Sequence, residues 1–165
     1  MKPAFLCSLM VLVLSGGGFA GGKAYVPSEK ELLFVKSAGQ AGLGEVRVAE
    51  LGVQRAADHS VKEFASLLVK DHGSVNQELK ALADLKGIPF LVTVAPETLD
   101  TIKAMEKKSG KDFDKAFIEE MKKRHDKDIK IYEAAEKEIA DPEIKAFIDK
   151  TLPVLRTHAE MLKKL

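Results

Sequence analysis

Residues 111–139, KDFDKAFIEEMKKRHDKDIKIYEAAEKEI, decide how this chain is read. Phe113, Phe117, Met121, His125, Asp128, Tyr132, Ala135 and Ile139 recur at steps of three and four, so they share one stripe of an α-helix. Lysines and glutamates cover the remaining faces. The stripe is apolar except near its centre, where His125 and Asp128 stand at positions that a helical bundle normally gives to leucine.

Working outward, the same pattern recurs in three other stretches. Phe64, Leu68, His72, Val75, Leu79 and Leu82 form one face before it, and Ile144, Phe147, Thr151, Leu155, His158, Leu162 and Leu165 form one after it. Nearer the start, Phe34, Ala38, Glu45, Ala49, Gly52 and Ala56 make a fourth face, blurred by Gly39, Gly42, Gly44 and Gly52. Those glycines are spaced for close helix packing and do not make a phosphate-binding loop. Strand-type alternation never persists, and Ala, Leu, Lys and Glu favour helix in nearly every window.

Cap signals divide the chain. Ser28 with Glu31 makes a capping box for a helix over 29–57, and Ser60 with Glu63 makes another for a helix over 61–86, which Gly87 and Pro89 stop. Pro96 and Glu97 start a short helix that ends before Ser109-Gly110, and a third long helix covers 111–139. Asp141 as N-cap and Pro142 at the first helical position open the fourth, which Pro153 should kink by removing a backbone hydrogen bond. The connections run short, long, short. The expectation is therefore an all-α, ferritin-like four-helix bundle of two antiparallel hairpins, joined by a long crossover containing a short helix.

Glu45, His72, His125 and His158 are thus all inward-facing. Their heights agree as well. Glu45 and His72 each lie about fourteen residues from the turn near Asp58, roughly 20 Å along the axis, while His125 and His158 lie about seventeen from the turn at Asp141, roughly 25 Å. Both pairs fall near mid-bundle, so the four side chains converge. A lone core histidine is usually a satisfied structural residue, but three with a carboxylate at one level require a common explanation. One is a metal ion held by all four; the other is a buried Glu45–histidine hydrogen-bond network with one imidazole protonated. Three imidazoles and a carboxylate suit a single divalent ion, zinc or iron first, with manganese also accommodated and water added for iron or manganese. Asp128, one turn from His125, and Asp71 are candidate acceptors for the far ring nitrogens, with a solvated flank the plainer reading of Asp71. Tyr132 either bonds to the site or packs. Met121 and Met161, each one turn from a histidine, are soft copper-type ligands on one reading and core fillers on the plainer one. His59, in the Asp58-His59-Ser60 turn, is left outside the site.

The ends and the composition bound the rest. Lys2 followed by the apolar run Phe5 to Leu14 reads as an export signal, with cleavage expected after Ala20 and Ala24 as second choice. Residues 21–28 then form a flexible segment and 29–165 the bundle domain. Cys7 leaves with the leader, so the mature chain has no disulfide, thiolate ligand or cysteine nucleophile. Without Lys2 the 26 basic residues fall to 25, equal to the acidic count, and no basic patch points to nucleic acid. The mature protein is expected to be periplasmic or secreted, with no transmembrane span.

The segments Glu45 to Glu50, Lys70-Asp71-His72, Ser109-Gly110-Lys111-Asp112-Phe113-Asp114 and Thr151-Leu152-Pro153 followed by His158 resemble a bacterial secreted family, domain of unknown function 4142. The resemblance runs from about Phe34 to Leu162. It implies a ferritin-like fold and an exported location more than an activity. A di-iron carboxylate centre needs Glu-x-x-His pairs on two helices, yet Val69 precedes His72 by three and Leu155 precedes His158 by three. The residues therefore favour one ion over two. No nucleophile motif, glycine-rich phosphate loop or paired-carboxylate acid/base arrangement points to an enzyme. The rival to a metal-binding bundle is a metal-free envelope stress or interaction module, with an envelope protein or a second copy of the chain as partner.

Overall fold

The computed structural model describes residues 25–90 and 93–165, and the expected leader lies outside them. Five helices follow one another: α1 Glu29–Arg55, α2 His59–Leu85, α3 Pro96–Glu106, α4 Gly110–Glu138 and α5 Pro142–Leu162. Among the described residues there is no strand. No described helix is long and apolar enough to cross a membrane.

The caps explain the boundaries. Ser28 and Glu31 form the expected capping box, with Ser28 N donating to Glu31 Oε2 at 2.6 Å and Glu31 N to Ser28 Oγ at 3.3 Å. At α2 the sequence reading is off by one cap: Asp58, not Ser60, terminates the helix, and its Oδ1 accepts from Ser60 N at 2.8 Å and Ser60 Oγ at 2.6 Å. An ionised carboxylate is the stronger acceptor, so it takes the first turn and leaves Ser60 inside it. Buried Asp114 of α4 fixes the turn from the other side, accepting from Ala57 N and Asp58 N, both at 2.9 Å. Gly87, with φ +64°, closes α2 in a Schellman motif in which Ile88 N donates to Ala83 O at 2.9 Å and Ile88 drops into the core. Asp141 caps α5, its Oδ1 accepting from Glu143 N and Ile144 N. Helix α5 runs unbroken through exposed Pro153.

α1 packs against α2 and α4, α5 packs against α4 and α2, and short α3 lies on α1 and α4. Three contacts orient the hairpins. Asp114, at the start of α4, meets the end of α1, while Lys30 near the start of α1 pairs with Glu138 at the end of α4. At that same end buried Lys86 bonds Asp141 and Glu143, both at 2.6 Å, and lies under the ring of Tyr25. The end of α2 and the start of α4 therefore lie at opposite ends of the bundle. Close approach is needed along α1: a Cβ on Gly52 would meet Phe117 Cε2 at 2.5 Å, and one on Gly42 would collide with the Asn76 side chain.

The apolar core is not continuous. One cluster gathers around Phe34, Leu79, Tyr132, Ile148 and Leu155, and a second around Val48, Leu68, Phe113, Phe117 and Leu162. Between them the inward positions are occupied by Glu45, His72, His125, Asp128 and His158.

Candidate metal centre

One helix supplies each principal side chain: α1 gives Glu45, α2 His72, α4 His125 and α5 His158. None is more than 4 % exposed, so whatever satisfies their polar atoms must lie within the layer itself. The imidazole centroids are 5.3 Å apart for His72–His125, 5.3 Å for His72–His158 and 5.5 Å for His125–His158. Matching heights counted along the sequence had placed these rings together, and the structure brings them together.

The outer nitrogen of each ring has an acceptor. His72 Nδ1 lies 2.9 Å from Glu45 Oε2, His125 Nδ1 donates to the Met121 carbonyl at 3.0 Å, and His158 Nε2 donates to Asp71 Oδ2 at 3.0 Å. Carbonyls and ionised carboxylates accept and do not donate, so each of these nitrogens carries the ring proton. A neutral imidazole holds one proton, which leaves lone pairs on His72 Nε2, His125 Nε2 and His158 Nδ1. His72 Nε2 has no hydrogen-bond partner. His125 Nε2 and His158 Nδ1 face each other at 3.4 Å, an unfavourable meeting of lone pairs unless a proton or a cation lies between them. One nitrogen from each of the three rings lies within 4.8 Å of the others. With a zinc–nitrogen bond of about 2.0–2.1 Å, two ligands of a tetrahedron are about 3.4 Å apart. The His125–His158 separation already has that value.

Burial sets the protonation states. It depresses the basicity of all three histidines, pushing His72 down to about 4, so the rings are neutral near pH 7. The carboxyls move the other way. Burial, then the neighbouring Glu45 charge, pushes Asp128 up to about 9, and burial also raises Glu45 against the opposing pull of His125 and Asp128. Two adjacent buried carboxyls cannot both ionise cheaply, so they hold one proton between them, on Asp128. Glu45 accepts the hydrogen bond of that proton, and its Oε1 lies 3.3 Å from the already committed His125 Nδ1.

The remaining sequence candidates fall into place individually. Asp71 is not a solvated flank: it is 29 % exposed and holds the far nitrogen of His158, across the bundle from its sequence neighbour His72. Asp128 sits beside Glu45, and the role expected of it behind His125 is taken by the Met121 carbonyl. Tyr132 packs edge-on against Phe34 at 5.1 Å, and its hydroxyl is held well above the usual phenol range by burial and then by Asp128 and Glu45. Met121 is fully buried in the second apolar cluster, while Met161 packs against that cluster and lines a shallow groove with Phe64 and Leu67. His59 is exposed and pairs with Glu63 at 3.2 Å. A backbone acceptor such as the Met121 carbonyl leaves no mark on residue type, so the sequence held no signal for it.

The family described as "Domain of unknown function (DUF4142)" matches residues 20–165. Among solved structures the fold is similar to a crystal structure of a DUF305 fragment from Deinococcus radiodurans, with TM-score 0.74 and 14 % identity over 83 % of this chain and 95 % of that one. No curated protein matches the sequence.

Proposed function

The chain belongs to the domain of unknown function 4142 family, and we propose that it is an exported bundle that binds one divalent transition-metal ion through His72, His125 and His158. The observation that carries this reading is the orientation of the rings. Three buried, neutral imidazoles bring one nitrogen each within 4.8 Å of the others, with the lone pairs of His125 and His158 facing and that of His72 unpartnered, while Glu45, the Met121 carbonyl and Asp71 hold the other ring nitrogens. Ligating imidazoles are commonly fixed in this way, and the acceptors also raise their basicity toward the ion. Glu45 serves as the anchor of His72 on this reading, not as a fourth ligand, and water completes the coordination of zinc or iron. The end-to-end passage from α2 to α4 supports a ferritin-like crossover. The site is of a different kind from a di-iron centre, because one carboxylate pair behind three histidines cannot bridge two irons.

Metal analysis of the protein as purified, followed by zinc titration of the stripped protein, tests the proposal. One ion per chain, lost in His72→Ala and His125→Ala, is expected. The metal-free reading places a shared proton between His125 Nε2 and His158 Nδ1 and predicts neither bound metal nor any response to chelator. Export is tested separately by fractionation and N-terminal sequencing. A mature chain beginning at Gly21 is expected, and a retained Met1 would sink that part of the reading.

A further inference from the structure

All three histidines are nearly sealed from solvent, so an ion needs a way in. Two approaches reach the layer from outside. One is the Asp71 edge, but there the nitrogen that meets an arriving ion is the protonated Nε2 of His158, already donating to Asp71. The other is a cleft of about 230 Å³ between α1, α3 and α4, with Glu45 and Asp128 in its lining, large enough for an ion with several waters. Its walls are small or polar at Ser37, Ala41 and Thr98. The cationic side chains around it leave it passable: Arg124 is tied to Glu120 Oε1 at 2.7 Å and reaches Thr98 Oγ1 at 3.3 Å, while Lys123 and Lys127 are exposed on long stems. Glu45 supplies the second observation, since it is 1 % exposed, lines the cleft and lies 2.9 Å from His72 Nδ1 and 3.3 Å from His125 Nδ1, so the cleft ends against two of the three rings. A carboxylate at the inner end of a cleft attracts a cation that enters it.

We propose that this cleft is the port through which a divalent cation reaches the histidines, with Glu45 Oε1 as its transient anchor before transfer to the ring lone pairs. The proposal rests on the histidine cluster being a metal site. Stopped-flow uptake and release of Co2+, followed by its visible absorption in the full-length protein, tests it. Ala41→Leu fills the cleft and Ser37→Phe narrows its mouth, the second variant standing in if the first does not fold. Uptake and release should both slow by about tenfold, as for binding that must await a structural opening, with the equilibrium dissociation constant unchanged. Native rates in both folded variants would overturn the port. Slower uptake with unchanged release would overturn it too, because that is weaker binding and not a blocked path. If the native protein takes up no Co2+ at all, the metal site itself falls, a failure that equilibrium titration shows before any rate is compared.

Discussion

The apolar layers toward the two ends of the bundle and the polar layer between them are drawn from the same four helices, but different forces hold them. In the layer around Phe117 and Leu68, contact is non-directional, and any side chain of suitable volume and face contributes. In the middle layer every ring depends on one acceptor at one distance, and a pairing lost there leaves a buried polar atom stranded. The ends should therefore govern stability whatever the ionic conditions, and the middle should govern it only through what it binds.

The largest expected effect tests the apolar side of that contrast. Phe117→Ala removes a fully buried ring packed on Gly52 and should lower unfolding free energy by about 3–5 kcal/mol. Urea titration should give the same loss with and without zinc; a loss that depends on zinc would mean that the layers are not separable. Next comes the ion itself. At free zinc a thousandfold above its dissociation constant, linkage adds about 4 kcal/mol, which a chelator should remove from the native protein and leave untouched in His125→Ala. Asp71→Asn should do less. It weakens the acceptor behind His158, and zinc affinity should fall by about 10–100-fold in titration calorimetry while the chelated protein melts nearly as before.

The smallest effect is in the shape of the pH profile of the metal-free protein. The histidines have folded pKa values below their unfolded ones, with His72 near 4, so the unfolded chain binds more protons between about 4 and 6.5 and stability rises with pH there. Asp128, near 9 when folded, has the opposite sign: its contribution is lost as pH rises from its unfolded value toward 9. Above the histidine window only the carboxyl effect remains. Melting temperature should thus peak near pH 6.5, and Asp128→Asn should flatten the alkaline limb and steepen the acid one, where Asp128 opposes the histidines.

Much of the polar layer was legible in the sequence because helical periodicity fixes both face and height. Counting residues from Asp58 and Asp141 was enough to place four side chains at one level. What periodicity cannot show is the far side of each ring. Asp71 is adjacent to His72, but successive residues on a helix diverge by about 100°, so Asp71 turns toward α5 and serves His158 instead. The cap of α2 was misread for a related reason. Ser60-x-x-Glu63 is a sound local motif, but Asp58 competes for the same turn and Asp114, distant in sequence, fixes the backbone ahead of it.

The division of the polar layer between hairpins bears on how the protein folds. Glu45 and His72 lie on the first hairpin, and His125 and His158 on the second. Each hairpin can form from contacts near in sequence, whereas the contacts of Asp114 with Ala57 and of Lys86 with Asp141 wait until the two meet. The three lone pairs converge only after that docking. An ion that binds only after docking should therefore lengthen the lifetime of the native state by slowing unfolding and leave the speed of folding almost unchanged, which stopped-flow refolding with and without zinc checks.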